Sequence, residues 1–202
     1  MKKIIVTALA VFAFTFANAQ EKNENSIAGF SKGDVFATGS IGLSSAKTGD
    51  LKDSKFAFAP KLAFFVTDNI AVGAKIEFGS EKKETKIGSV KTKTLDNSVF
   101  TGGVFGRYYF TPASKFSLFA NLGVDFSGVK NKLNDTKAKQ FEATLGAGFN
   151  VFLSPNFALE CGVGALSYKS NDNGGKGAPK TNTFGLIGGE WTVVTLGLNY
   201  KF

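Results

Sequence analysis

Residues 103–126 read GVFGRYYFTPASKFSLFANLGVDF and carry Arg107, the only arginine of the chain, among glycines, aromatics and aliphatics. Every second residue of this stretch tells the same story. Val104, Tyr108 and Phe110 share a face, and beyond the tight joint at 111–114, Phe116, Leu118, Ala120, Leu122, Val124 and Phe126 share another. Arg107 and Asp125 fall on the opposite side. Alternation at period two is the signature of β-strands with one apolar face. Charge and apolar surface coexist here because they point away from each other.

The pattern recurs in eight segments. The first holds Val35, Ala37, Ile41 and Leu43, the second Phe56, Phe58, Leu62, Phe64 and Val66, and the third Ile70, Val72, Ala74, Ile76 and Phe78. Phe100 extends the fourth, with Gly102 and Gly106 interleaved, and the fifth runs from Phe116 to Phe126. The sixth runs from Phe141 to Leu153, the seventh from Phe157 to Ala165, and the eighth holds Val194, Leu196, Leu198, Tyr200 and Phe202. No charged residue interrupts the apolar face in any of them. The other face is built of Gly, Ala, Ser, Thr, Asn and some aromatics, with Lys61, Lys75, Glu77, Arg107, Asp125, Glu142 and Glu160 as its charges.

Alternation does not say which face is inside. A soluble lipocalin-like barrel turns its apolar face inward, whereas a membrane barrel turns it to lipid. The small size of the polar residues suits a crowded lumen, and Phe gathers toward several segment ends like an aromatic girdle. The joints also alternate in length. Short ones at 67–69, 111–114 and 154–156 interleave with SAKTGDLKD, EKKETKIGSVKTKTLD, KNKLNDTKAK and KSNDNGGKGAPKTNT, as periplasmic turns and external loops do. No segment reaches eighteen consecutive apolar residues, so strands must cross the bilayer, and lipid requires that they close on themselves. The expected fold is all-β, an eight-stranded antiparallel up-and-down transmembrane barrel over residues 34–202. Pro60 objects within the second strand, where it removes a ladder hydrogen bond, and it reads as a bulge or kink.

Residues 1–19, MKKIIVTALAVFAFTFANA, read as a secretory signal: Lys2 and Lys3, an apolar middle, then Ala17-Asn18-Ala19 for cleavage. Residues 20–33 read as a short periplasmic segment. From Gln20 onward the chain has 22 Lys and Arg against 16 Asp and Glu, a net charge of +6. One cysteine, Cys161, excludes an internal disulfide. With no histidine and one lipid-facing thiol, a metal site has no ligand set, and Ser and Asp have no base arranged for catalysis. The expectation is a protein that is not an enzyme and carries no cofactor, with no catalytic or metal-binding residues.

GVFGRYYF at 103–110, FALECGVGALSY at 157–168 and the terminal LGLNYKF at 196–202 make the chain similar to the small outer-membrane β-barrel family. It resembles the OmpA/OmpX-type barrels, in particular the single-domain versions of Bacteroidota-like bacteria. The resemblance implies a Gram-negative cell envelope, export through a cleaved signal peptide, and contact with outer-membrane lipid and lipopolysaccharide. It also implies delivery to the barrel-assembly machinery by a terminal strand, with Leu196, Leu198, Tyr200 and Phe202 in the signal positions. A monomer is expected, without a peptidoglycan-binding domain and without nucleic acid as a partner.

An eight-stranded barrel is just wide enough for its own side chains. Three lumen cations, Lys61, Lys75 and Arg107, face four anions, Glu77, Asp125, Glu142 and Glu160, and confinement makes unpaired charge costly. The expected network plugs the barrel, with Arg107 at its centre holding two carboxylates in its fork. The competing reading is a porin-like ion or solute path lined by these charges. A lateral route for hydrophobic solutes, known in related eight-stranded barrels, is a third. The loops carry Lys82, Lys83, Lys86, Lys91 and Lys93, then Lys130, Lys132, Lys137 and Lys139. Such a crown is either a solvated surface or a contact for polyanions such as lipopolysaccharide phosphates.

Overall fold

The structure, a computed structural model, describes residues 29–87, 90–174, 177–186 and 195–202. The expected signal segment at 1–19, most of the segment expected at 20–33, and Val194 lie outside the described residues. The strands are β1 (Val35–Thr48), β2 (Leu51–Phe65), β3 (Ile70–Ile87), β4 (Val90–Tyr109), β5 (Phe116–Asn131), β6 (Lys137–Phe152), β7 (Phe157–Asn171), β8 (Thr181–Leu186) and β9 (Thr195–Lys201). Each pairs antiparallel with its sequence neighbour from β1 to β7. Both β8 and β9 lie along β7, at Leu166–Asn171 and Phe157–Gly162 respectively, so together they fill one strand position. Pairing of β9 with β1 closes the sheet as an eight-stranded barrel.

The alternation of the sequence is the inside and outside of this wall. Ile41, Phe58, Leu62, Ile76, Phe100, Val104, Leu122 and Leu159 are 40–62% exposed, which in water would be a severe hydrophobic penalty and in lipid is a matched surface. Ring pairs mark the two rims. Phe78 with Phe100 (5.4 Å) and Phe126 with Phe141 (5.3 Å) lie toward one end, and Tyr108 with Phe110 (5.2 Å) and Phe157 with Tyr200 (4.9 Å) toward the other. Along β4, the ten steps from Phe100 to Phe110 span roughly 33 Å, or about 25 Å vertically at the usual tilt, the height of an outer-membrane apolar band.

The expected long loops are mostly strand. β1 and β2 turn at Gly49 and Asp50, and β3 runs to Ile87 before β4 starts at Val90. Charged residues pair as well as any others in a strand that has left the membrane, because both of its faces are wet. Composition alone therefore made these segments look like coil. Pro60 does not form a bulge. It stands opposite Gly39, and the β2–β3 register is the same on either side of it, Phe58 to Phe78 and Lys61 to Lys75, with the two intervening pairs missing from the ladder.

The bulge that does shape the lumen is at Ala165. Leu145 lies opposite Leu166 and Gly146 opposite Gly164, so Ala165 is the extra residue. One added residue flips all that follow. Tyr168 thereby reaches the outer face beside Phe184, and Lys169 turns into the lumen opposite Glu142.

Two glycines make room for rings inside the barrel. Phe119 lies across Gly148, and Phe105 across Gly73, each a direct cross-strand pair. A Cβ on Gly148 would collide with Phe119 Cζ and with the Cys161 carbonyl oxygen. Gly148→Ala is expected to cost about 1–3 kcal/mol by overpacking, measured by denaturant unfolding of the refolded barrel. An unchanged midpoint would mean that the ring has space to move.

Candidate functional site

The lumen is built in three tiers. The lowest is aromatic. Phe36, Phe65, Tyr109 and Phe152 stand at the short-turn end of the barrel, on β1, β2, β4 and at the end of β6, each on the inward face and at most 1% exposed. Their positions follow from the alternation that puts Val35, Phe64, Tyr108 and Val151 outside. Between them sits Phe30, from the segment preceding β1 and itself 1% exposed. Its ring centroid is 4.8 Å from Phe65, 4.9 Å from Phe152, 5.1 Å from Phe36 and 5.2 Å from Tyr109.

The backbone holds this insert in place. The Phe30 N–H donates to the Pro112 carbonyl at 2.7 Å and the Gly33 N–H to the Phe65 carbonyl at 3.0 Å. Lys201 Nζ donates to the Gly29 carbonyl at 2.6 Å and lies 3.6 Å from Asp34 Oδ2. Gly29 has φ +144°, and a Cβ there would lie 2.7–2.8 Å from backbone atoms of Pro112 and Ala113, so only glycine fits against that turn. The described part of the leader is thus a strap across the mouth of the barrel, with Phe30 as its stopper. No sequence pattern announced it: one Phe outside any alternating segment carries no periodic signal.

The middle tier is the charge. Arg107 donates from Nη1 to Glu160 Oε2 at 2.7 Å and from Nη2 to Glu160 Oε1 at 2.8 Å. Its Nε donates to Asn121 Oδ1 at 3.0 Å and its Nη1 also to the Tyr109 hydroxyl at 3.3 Å. The guanidinium carbon is 4.2 Å from the Phe119 ring centroid and 5.1 Å from that of Phe105. The fork therefore grips one carboxylate with two nitrogens, where two carboxylates were expected. A bidentate pair satisfies both oxygens of a buried carboxylate, which a shared fork cannot do. Lys61 Nζ approaches the same Glu160 at 3.5 Å. Arg107 is 4% and Glu160 3% exposed, so the pair stands across the lumen with no water layer around it.

The upper tier is open. Lys75 is 2.8 Å from Asp125 and 3.8 Å from Glu77. It can reach over β4 because Gly103, between them in the wall, has no side chain, and a Cβ there would meet Asp125. Asp125 is the direct partner of Glu142 on β6, and Glu142 that of Lys169 on β7. Glu142 accepts from Gln140 Nε2 at 3.4 Å and has no cation within 4.0 Å among the described residues. The seven lumen charges expected from the sequence thus form two clusters: Arg107, Glu160 and Lys61 below, and Lys75, Asp125, Glu77 and Glu142 above. The upper cluster lines a vestibule of about 500 Å³ with Ser40, Thr101, Ser127 and Thr144. Asn121, Tyr109 and Lys169 were missing from the expected set, since neutral groups and a bulge-flipped lysine leave no trace in a charge pattern.

Above the vestibule, the hairpins carry their own ion pairs. Lys55 meets Glu81 at 3.3 Å, Lys83 meets Asp53 at 3.6 Å, Lys93 meets Asp96 at 3.2 Å and Lys130 meets Asp135 at 2.7 Å. Lys82, Lys86, Lys91 and Lys132 are exposed. In the terminal strand, Leu196 and Leu198 face outward at 63% and 49% exposure. Tyr200 is only 7% exposed, packed between the Phe157 and Phe202 rings, and the Phe202 N–H donates to the Val35 carbonyl at 3.0 Å. No cluster of potential metal ligands occurs among the described residues.

The sequence profile described as the outer membrane protein beta-barrel domain matches residues 6–202. No curated protein matches the chain in sequence. Among solved structures it is similar to the outer membrane protein OprG from Pseudomonas aeruginosa, at 18% identity and a TM-score of 0.52, over 86% of this chain and 98% of that one. The N-terminal β-barrel domain of OprF from Pseudomonas aeruginosa aligns at 16% identity and a TM-score of 0.45, over 86% of this chain and all of that one (100%). The Yersinia pestis outer membrane protein Ail gives 16% and 0.45, over 85% and 100%. At these identities the likeness to OprG bears on fold alone.

Proposed function

The chain belongs to the outer membrane protein beta-barrel domain family, and from that premise we propose that it is a sealed scaffold of the cell envelope. Its lumen is a plug rather than a path, and its work is done by the external hairpins, which contact envelope polymers or other cells. The observation that carries this reading is the bidentate Arg107–Glu160 pair, standing directly above the Phe30 stopper. A permeating ion would have to separate a buried, doubly hydrogen-bonded ion pair, which is strongly unfavourable, and then pass a close-packed set of rings. Neither member of the pair lines the vestibule.

No enzymatic role belongs to this proposal. Glu160, Asp125 and Glu77 are each held by a lysine or arginine. The leader's position at the closed end and the charged hairpins at the other fit the orientation expected of an exported barrel.

Liposome swelling tests the reading. Vesicles carrying the refolded mature chain are expected to swell in arabinose and in glycine no faster than empty vesicles, while a general porin in parallel swells rapidly. Swelling at the porin's rate in either solute would replace the scaffold with a solute channel.

A further inference from the structure

The strand that closes the barrel is lightly tied. Among the described residues, the ladder between β9 and β1 runs only from Phe36–Lys201 to Ile41–Leu196, whereas that between β1 and β2 runs from Val35–Phe64 to Thr48–Leu51. On its other side β9 holds β7 only from Phe157 to Gly162. A fold opens first where the fewest bonds must break, and the β1–β9 seam is such a place.

The strap crosses this seam. Lys201, at the end of β9, is buried, and its Nζ donates to the Gly29 carbonyl at 2.6 Å and lies 3.6 Å from Asp34 Oδ2. Its backbone is fixed separately, by the turn after β6: the Lys201 N–H donates to the Asn156 carbonyl at 2.7 Å, and the Lys201 carbonyl accepts from Asn156 Nδ2 at 2.8 Å. Asp34 also accepts from the Ser31 N–H at 2.8 Å, so the acid that faces the lysine is the one that folds the strap's own turn. From there the Phe30 N–H ties the strap to the Pro112 carbonyl on the far wall.

We propose that the strap is a closure latch: it docks once β9 has paired with β1, and thereafter the seam cannot part until Lys201 releases Gly29 and Asp34 and the Phe30 ring leaves its cage. The cage itself dictates this order. Phe30 touches Phe36 of β1 and Phe152 of β6 at centroid distances of 5.1 and 4.9 Å. Those strands are five positions apart in the sheet, about 24 Å if it lay open. One ring reaches both only after the sheet has curled shut. The anchor has the same requirement, because Lys201 comes beside Gly29 only when the last strand meets the first. By contrast, the bonds of Gly33 and Asp34 to Phe65 merely extend the β1–β2 ladder and need no closure.

A contact formed after closure stabilises the closed barrel and not the transition state that leads to it. It therefore slows opening and leaves the rate of closing unchanged. Ring and anchor also act together, since Lys201 Nζ lies 5.9 Å from the centroid of Phe152, a wall of the Phe30 cage.

The test follows unfolding and refolding of residues 20–202 in phospholipid vesicles after denaturant jumps, with heat-modifiable migration marking the closed barrel. Lys201→Met keeps the stem and removes the donors. It should unfold about tenfold faster than the parent, the loss expected for a charge-assisted hydrogen bond, with the refolding rate unchanged. Lys201→Arg should recover much of the difference. Deleting residues 20–31 leaves every strand in place and should also speed unfolding, and adding Lys201→Met to that deletion should change little further. The deletion carries the comparison if Lys201→Met does not fold. Trypsin reads the order directly: during refolding, protection of the bond after the exposed Lys32 should appear with the compact form or after it. Protection that precedes closure would overturn the latch, as would slower refolding of either variant, for the strap would then be guiding closure. Unchanged unfolding would also overturn it, and so would fully additive effects of Lys201→Met and the deletion, since Lys201 would then act apart from the strap.

Discussion

Arg107→Ala is expected to lower the unfolding free energy of the refolded barrel by about 3–5 kcal/mol, the cost of stranding one member of a buried ion pair. Without the guanidinium, Glu160 keeps only Lys61 at 3.5 Å and loses both short hydrogen bonds. Asn121 and the Tyr109 hydroxyl lose a donor, and Phe119 and Phe105 lose the group between them. Arg107→Lys should recover only part of the loss, because an ammonium is a point charge and cannot match two carboxylate oxygens in the plane. The triple variant Arg107→Met, Glu160→Leu and Lys61→Met should be more stable than Arg107→Ala, since replacing the whole cluster by apolar groups leaves no stranded charge. Denaturant titrations followed by circular dichroism would measure all four proteins. Lys86→Ala, at an exposed position, should leave the midpoint where it is. If Arg107→Ala unfolds like the parent, the lower charge cluster does not hold the barrel together.

The second large effect is expected at Phe30. Phe30→Ala removes a ring that four others enclose and leaves a cavity at the mouth, a change worth about 3–5 kcal/mol in a packed interior. The backbone bonds of the strap survive the substitution, so Phe30→Leu, which refills most of the space, should restore much of the loss. Trypsin offers a second readout. Lys32 is exposed but lies in a strap held at both ends, by Phe30 to the Pro112 carbonyl and by Gly33 to the Phe65 carbonyl. Cleavage after Lys32 should be slow in the parent and faster in Phe30→Ala. Equal cleavage and equal stability would mean that the strap lies at the mouth without closing it. Since Arg107 and Glu160 stand above, Phe30→Ala alone should remain closed to ions.

The wall of the barrel was legible because lipid and lumen impose opposite demands on consecutive residues. From Phe116 to Phe126 the apolar face is unbroken, and the structure turns it outward throughout. The hairpins were less legible for the same reason: above the membrane the contrast between faces disappears, and Glu81, Lys82 and Lys83 alternate nothing that hydropathy can register. The Ala165 bulge was hidden because an added small residue shifts phase without changing composition. Only its consequence, Tyr168 outside and Lys169 inside, reveals it. Of the two readings of Pro60 the bulge fails, since a missing ladder bond does not by itself demand an extra residue.

The lumen charges could be found from the sequence, but their pairing could not. Inward-facing residues on different strands meet across the barrel at positions set by its shear, so Arg107 of β4 reaches Glu160 of β7, not Asp125 of the adjacent strand β5. Gly103 decides a second pairing by what it lacks, letting Lys75 pass over β4 to Asp125. The strap was invisible altogether, because its anchor points, Pro112, Phe65 and Lys201, are brought together only when the barrel closes.

Single-channel recording from refolded residues 20–202 in a planar bilayer, beside a Lys61→Ala companion, addresses the proposed seal of the lumen most directly. Silence from both proteins, with heat-modifiable migration showing that each is a folded barrel, is the predicted result. Stable, charge-selective current steps in the parent that change in the companion would contradict it, for ions would then be passing the Arg107–Glu160 pair.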